Sequence, residues 1–196
     1  MLPLLLLLLT LTPLTAADRF AIGLTAKQTP VEAWTPVAAV DGKLPRVVWI
    51  GGLDGTPSAT MLRELAAYER SNSQRARFHV TAVPLANPDT VALQFPPTGD
   101  AYRDNPESHV LWRWLATEAP DLVIVEGVDA GGLKAALAAQ AVAGVGRIPV
   151  EALPAGAKWL DVSRKAKAGV SEARREMDRR LSRSPKQVAE LMSRVY

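Results

Sequence analysis

Two short runs, RVVWI (Arg46 to Ile50) and LVIVEG (Leu122 to Gly127), are apolar almost without interruption. Such runs predict strands buried on both faces, as in parallel or mixed sheets. FAIGL (residues 20–24) and VEAW (31–34) are predicted as short strands joined by a polar turn, and RFHVTAVP (77–84) alternates like a strand. Asp41-Gly42 is a tight-turn signal between the second and third of these. Met61, Leu62, Leu65 and Tyr68 recur at helical spacing, with Ser58 or Thr56 available to cap that helix. ESHVLWRWLATEA (107–119) and the Ala-rich LKAALAAQA (133–141) are predicted helices. A basic helix is predicted from about Ser163 to Leu181, and a shorter one from Pro185 with Ser184 as its cap. No clear strand is predicted after Gly146.

Strands alternating with helices predict an α/β protein: a three-layer α/β/α fold around a mixed, largely parallel sheet. Ligand sites in such sheets lie at the carboxyl ends of the strands. Three segments meet that condition: Gly51–Gly55, Asn87–Arg103 and Glu126–Gly131. The second belongs to a Pro/Asn/Asp-rich loop longer than a passive connector needs.

The chain has 196 residues, 48% of them apolar, enough for one sizeable core. A net charge of +3 is too weak to point to nucleic acid as a partner. The charge is uneven: a surplus of six positive charges lies from Lys158 onward, which leaves about −3 elsewhere. The amino-terminal MLPLLLLLLTLTPLTAA has an apolar centre and small residues near Ala17. It reads as a secretory signal that is too short to be a stable membrane span, so the protein is expected to be exported, to the periplasm or outside the cell. No cysteine is present, which excludes disulfides, thiolate metal sites and a cysteine nucleophile.

The order of several phrases carries a resemblance. GLTAKQTPVEAW, PRVVWIGGLDGTPSA, VPLANPDT, GDAYRDN, NPES and DLVIVEG follow one another between Ile22 and Gly127. This order resembles the zinc carboxypeptidase superfamily, which includes carboxypeptidase A-like enzymes, succinylglutamate desuccinylases and aspartoacylases. The resemblance implies a carboxypeptidase-like domain over residues 18–156, preceded by a signal peptide (1–17). A basic helical segment of the same domain follows (157–196). It also implies that the domain stops short of the family's later strands, so a longer chain or a missing carboxyl-terminal partner domain is expected. Family members hold zinc with a His-x-x-Glu pair and a later His. Here Asp54 stands in place of the first His, Pro57 in place of the Glu and Gly127 in place of the last His. The expected site is therefore a degenerate one, with zinc expected for the family but not for this chain.

Asp54 is the one remaining candidate metal ligand; equally, an Asp before Gly makes a turn that caps the next helix. The resemblance assigns Arg103 to a substrate carboxylate, with Asn87 and Asp100 beside it as substrate-binding candidates. Arg103 could equally pair with Asp100, Asp104 or Glu107, and Asn87 and Asp89 could hold the loop. Glu126, at a buried strand end, is the candidate catalytic residue, as a general base or as a carboxylate satisfied by backbone donors. Glu151 is a weaker acidic candidate. His79 and His109 read as structural. Trp112 and Trp114 point to different faces of their helix, one of them into the core. The leading expectation is a non-peptidase relative that binds a small carboxylate, peptide or glycan-derived ligand. The alternatives are a hydrolase with an altered site, which requires Asp54, Arg103 and Glu126 to meet in one cleft, and an accessory domain of a larger exported enzyme.

Overall fold

A computed structural model describes residues 18–35, 44–71, 77–101 and 103–183. The expected signal segment, the Asp41-Gly42 turn, Tyr102 and the helix from Pro185 lie outside the described residues. Six strands form one mixed sheet: β1 (Asp18–Leu24), β2 (Pro30–Thr35), β3 (Arg46–Ile50), β4 (His79–Val83), β5 (Leu122–Glu126) and β6 (Val150–Leu153). Their order across the sheet is β1-β2-β4-β3-β5-β6. β4, β3, β5 and β6 run parallel, and the β1–β2 hairpin joins antiparallel to β4.

Alternation along the central strands sorts their side chains to two faces. Val48 and Ile50 of β3, with Val83, Val123 and Val125, meet helices α2 (Pro106–Glu118) and α3 (Leu133–Ala139). Val47 and Trp49, with Val80, Leu122 and Ile124, meet α1 (Met61–Glu69) and α4 (Trp159–Arg183). All five residues of β5 are buried, and so are all of β3 beyond Arg46. This is the three-layer α/β/α architecture. Each fully buried Val, Leu or Ile side chain contributes about 1.5–3 kcal/mol, so these two strands anchor the domain.

The connections place the site. From β3 the chain crosses by α1 to β4 on one side, and from β4 it returns by α2 to β5 on the other. The chain thus reverses its direction across the sheet beside β3, and a crevice opens there at the strand ends.

Three sequence expectations are corrected. β6 was not anticipated; it is a four-residue strand pairing only with β5, too short and too polar at Glu151 to stand out. The last described helix begins at Trp159 rather than near Ser163, and its first half is a core element. Trp159, Val162, Ala166 and Val170 are buried against α1 and β5, with the Tyr68 and Trp159 rings 4.5 Å apart. That stripe was hidden because one of its members is alanine and the helix start was missed. The cap of α1 is Thr60, whose side chain makes no capping bond; neither Ser58 nor Thr56 caps it. Of the tryptophan pair, Trp114 is in the core and Trp112 stacks against Phe95 with ring centroids 6.3 Å apart. Among the described residues no helix is long and apolar enough to cross a membrane.

His79 begins β4, half-buried, with Nε2 3.4 Å from Thr35 Oγ1. Desolvation, and secondarily the Arg46 charge, lower its pKa from 6.5. A histidine with a depressed folded-state pKa takes up protons more readily when unfolded, so its contribution to stability is fully present above the unfolded value of 6.5 and is lost as pH falls from there through the folded value. Thermal denaturation from neutral to mildly acid pH should show Tm falling, and His79→Gln should flatten the slope. An unchanged slope in the variant would refute this assignment.

Candidate functional site

The carboxyl end of β3 runs into Gly51-Gly52-Leu53-Asp54-Gly55, and a set of backbone bonds ties this turn to the exit of β4. Gly51 N–H donates to Val83 O at 2.8 Å, and Ala86 N–H to Gly51 O at 3.0 Å. Asn87 N–H donates to Gly52 O at 3.0 Å and Ser58 N–H to Pro84 O at 2.9 Å. Leu53 is fully buried, so the turn is fastened from below as well. At the end of β5, Gly127 N–H donates to Leu153 O at 2.9 Å, bringing the exit of β6 alongside.

The exits of β3, β5 and β6 line a cavity of about 220 Å³. Its lining includes Asp54, Pro57, Ser58, Thr60, Glu126 and Gly127. Asp54, Pro57 and Gly127, the three positions that the resemblance sets in place of the zinc ligands, therefore share one cavity, and Glu126 shares it with them.

Glu126 is 4% exposed. Its Oε1 accepts from Ser58 Oγ at 2.8 Å and from Gly156 N–H at 2.9 Å. Its Oε2 is buried without a hydrogen-bond partner, and so is Thr60 Oγ1. Asp54 is exposed at the mouth, where Oδ1 accepts from Thr56 N–H at 2.9 Å, the Asx-turn geometry expected of an Asp before Gly.

The other candidates stand apart from this cavity. Arg103 is exposed and pairs with Asp104, Nε to Oδ1 at 3.4 Å; it is not among the cavity's lining residues. Asp100 holds the same turn, its carbonyl accepting from Asp104 N–H at 2.7 Å and its N–H donating to Asp104 Oδ2 at 3.0 Å. The Asp104 carboxyl is held below its usual pKa, first by the Asp100 N–H and then by Arg103. Asn87 is 1% exposed and directs its side chain inward: Nδ2 donates to Leu53 O at 3.0 Å and to Val91 O at 2.8 Å, and Oδ1 accepts from Val91 N–H at 3.1 Å. Asp89 accepts from Thr29 Oγ1 at 2.7 Å and stitches the loop to the β1–β2 turn; hydrogen bonds from Thr25 and Thr29 lower its pKa. Glu151 pairs with Lys165 at 2.8 Å across β6 and α4. His109 lies 3.2 Å from Thr98 O in the loop.

Sequence reasoning did not assign Thr60 or Gly156 to the site and read Ser58 only as a cap. Gly156 is 30 residues from Glu126, and nothing in a sequence marks a backbone N–H as a carboxylate partner. The unrecognised β6 is what carries it there.

A hydrolytic zinc centre takes three protein ligands and leaves one position open. Pro57 has no ligating atom. Gly127 has no side chain, and its φ of +80° is a conformation that favours glycine. Among the described residues, no cluster of three or more His, Asp or Glu is placed to hold a metal ion. The residues present do not fit zinc.

No protein-family model matches the chain, and no curated protein matches it. Solved structures do. One is a metallo-carboxypeptidase from Burkholderia cenocepacia, at 17% identity over 59% of this chain and 38% of that one, with a TM-score of 0.49. Another is the carboxypeptidase A from Helicoverpa armigera, at 11% identity over 57% of this chain and 41% of that one, with a TM-score of 0.41. The chain spans well under half the length of either.

Proposed function

We propose that this chain is an exported carboxypeptidase-like protein that binds a small ligand in the cavity between the ends of β3, β5 and β6, without the family's zinc-dependent hydrolysis. One observation carries the reading. The three positions that replace the zinc ligands gather on one cavity, yet two of them supply no donor atom. The crevice remains, and it still has a buried carboxylate at its floor. Zinc's contribution in such enzymes is to acidify water and polarise a carbonyl, and one aspartate cannot assemble that centre. Export rests on the apolar amino-terminal segment and its small residues near Ala17.

A second reading, a hydrolase with an altered acid/base pair, draws on Asp54 and Glu126 sharing the cavity. It also needs Arg103 as the substrate anchor, and Arg103 does not line that cavity.

The test is elemental analysis of the purified protein after equilibration with zinc, beside Asp54→Ala. The expected result is no stoichiometric zinc in either. Near-stoichiometric zinc that disappears in Asp54→Ala would overturn the proposal and restore metal hydrolysis as the leading reading.

A further inference from the structure

The hydrogen-bonding groups of this cavity identify the chemistry of what it would hold, an inference that rests on the cavity being a ligand site. Five of its donors are engaged within the protein. Ser58 Oγ and Gly156 N–H donate to Glu126 Oε1, Thr56 N–H to Asp54, Ser58 N–H to Pro84 O and Gly127 N–H to Leu153 O. Pro57 has no N–H to give. Two groups are buried and unpartnered: Glu126 Oε2, which only accepts when ionised, and the Thr60 hydroxyl, which can accept or donate; Asp54 uses Oδ1. No Lys, Arg or His is among the lining residues. A carboxylate ligand would bring a third negative charge to two carboxylates with no cation beside them. A buried carboxylate oxygen without a donor is unfavourable, so the complementary ligand is one that donates hydrogen bonds and carries positive charge.

We propose that the cavity binds a small primary amine. Its ammonium group would donate to Glu126 Oε2, with Thr60 and Asp54 as further acceptors, which matches the three N–H donors of such a group. A water occupies about 30 Å³ of liquid, so a cavity of about 220 Å³ has room for the head and a short stem. The stem has apolar neighbours in Pro57, Val128 and Ala155, and Val128 is 59% exposed at the rim.

The experiment is a backbone-amide NMR titration of the full protein with four matched probes: n-butylammonium, n-butyltrimethylammonium, n-butanol and butyrate. The expected result is saturable shifts at Thr60, Gly127 and Gly156 with n-butylammonium alone. Glu126→Gln, which presents a donor where the ligand needs an acceptor, should weaken that binding by about tenfold or more. Equal binding of the trimethylated probe would overturn the proposal, because that cation has no N–H to donate. Unweakened binding to folded Glu126→Gln would overturn it as well. Shifts at these amides with butanol or butyrate but not the amine would overturn the amine and leave the cavity as a ligand site. No shift with any probe would remove both readings. If Glu126→Gln does not fold, Thr60→Val takes its place, and the comparison of the four probes on the unaltered protein decides without any variant.

Discussion

Asn87→Ala is expected to destabilise the domain by about 3–5 kcal/mol, an effect at the upper end for a single substitution. The side chain is 1% exposed and makes three hydrogen bonds, all to backbone. Its removal orphans the buried Leu53 carbonyl and the part-buried Val91 carbonyl and N–H, and each orphaned buried group costs about 1–3 kcal/mol. The two carbonyls belong to different parts of the site, one to the turn after β3 and one to the long loop after β4. Asn87 is therefore what holds that turn and that loop together. Asn87→Asp is a sharper variant. It keeps the acceptor for Val91 N–H but sets a carboxylate oxygen against both carbonyls, so it should be nearly as damaging as alanine. Thermal denaturation checks both: a fall in Tm of roughly 10 °C is expected for a domain of this size. A fall of only a degree or two in Asn87→Ala would refute the structural role and return Asn87 to the ligand-binding candidates.

How far the sequence reaches depends on what each residue has to do. β3 and β5 were legible because burial on both faces leaves uninterrupted apolar runs, and the described strands at Arg46–Ile50 and Leu122–Glu126 follow those runs closely. α2 was legible from its periodicity and lies within a residue of the expected bounds. β6 was not, since an edge strand of four residues with one buried side chain leaves almost no pattern. Asp54 and Glu126 were legible as site candidates because both sit at strand ends in the crevice that such a topology opens. Their meeting in one cavity depends on the order in which the strands pair, which no local pattern encodes. Arg103 shows the converse. The resemblance assigns it a binding role and the local sequence equally allows a pairing with Asp104, and it is the pairing that the structure contains. Ser58 and Gly156 escaped because their contribution is a donor to a carboxylate distant in sequence, and serine and glycine have common local uses that explain them equally well.

Gly52→Ala and Gly127→Ala form a matched pair in which backbone handedness is held constant and the surroundings differ. Both glycines line the cavity, and both have positive φ, +66° and +80°. An L-residue in that conformation is strained by about 1–2 kcal/mol. At Gly127 that strain is the whole effect, because the nearest atom to an added Cβ is Ala155 Cβ at 3.7 Å, an ordinary contact. At Gly52 the added Cβ would lie 2.7 Å from Leu85 Cα and 2.9 Å from Pro84 O. Both are backbone atoms, and Pro84 O also accepts the Ser58 N–H that fixes the approach to α1. Relief requires the turn and the β4 exit to separate, which would stretch the bond from Asn87 N–H to Gly52 O, now 3.0 Å. Gly52→Ala should therefore destabilise by about 3 kcal/mol or more, against about 1–2 kcal/mol for Gly127→Ala. Chemical denaturation of the two variants beside the parent measures the difference directly. Equal losses would mean that the strand exits are not packed as closely as the turn geometry requires. A larger loss at Gly52 would establish that the wall of the cavity is set by backbone contact between the ends of β3 and β4, with no side chain able to adjust it.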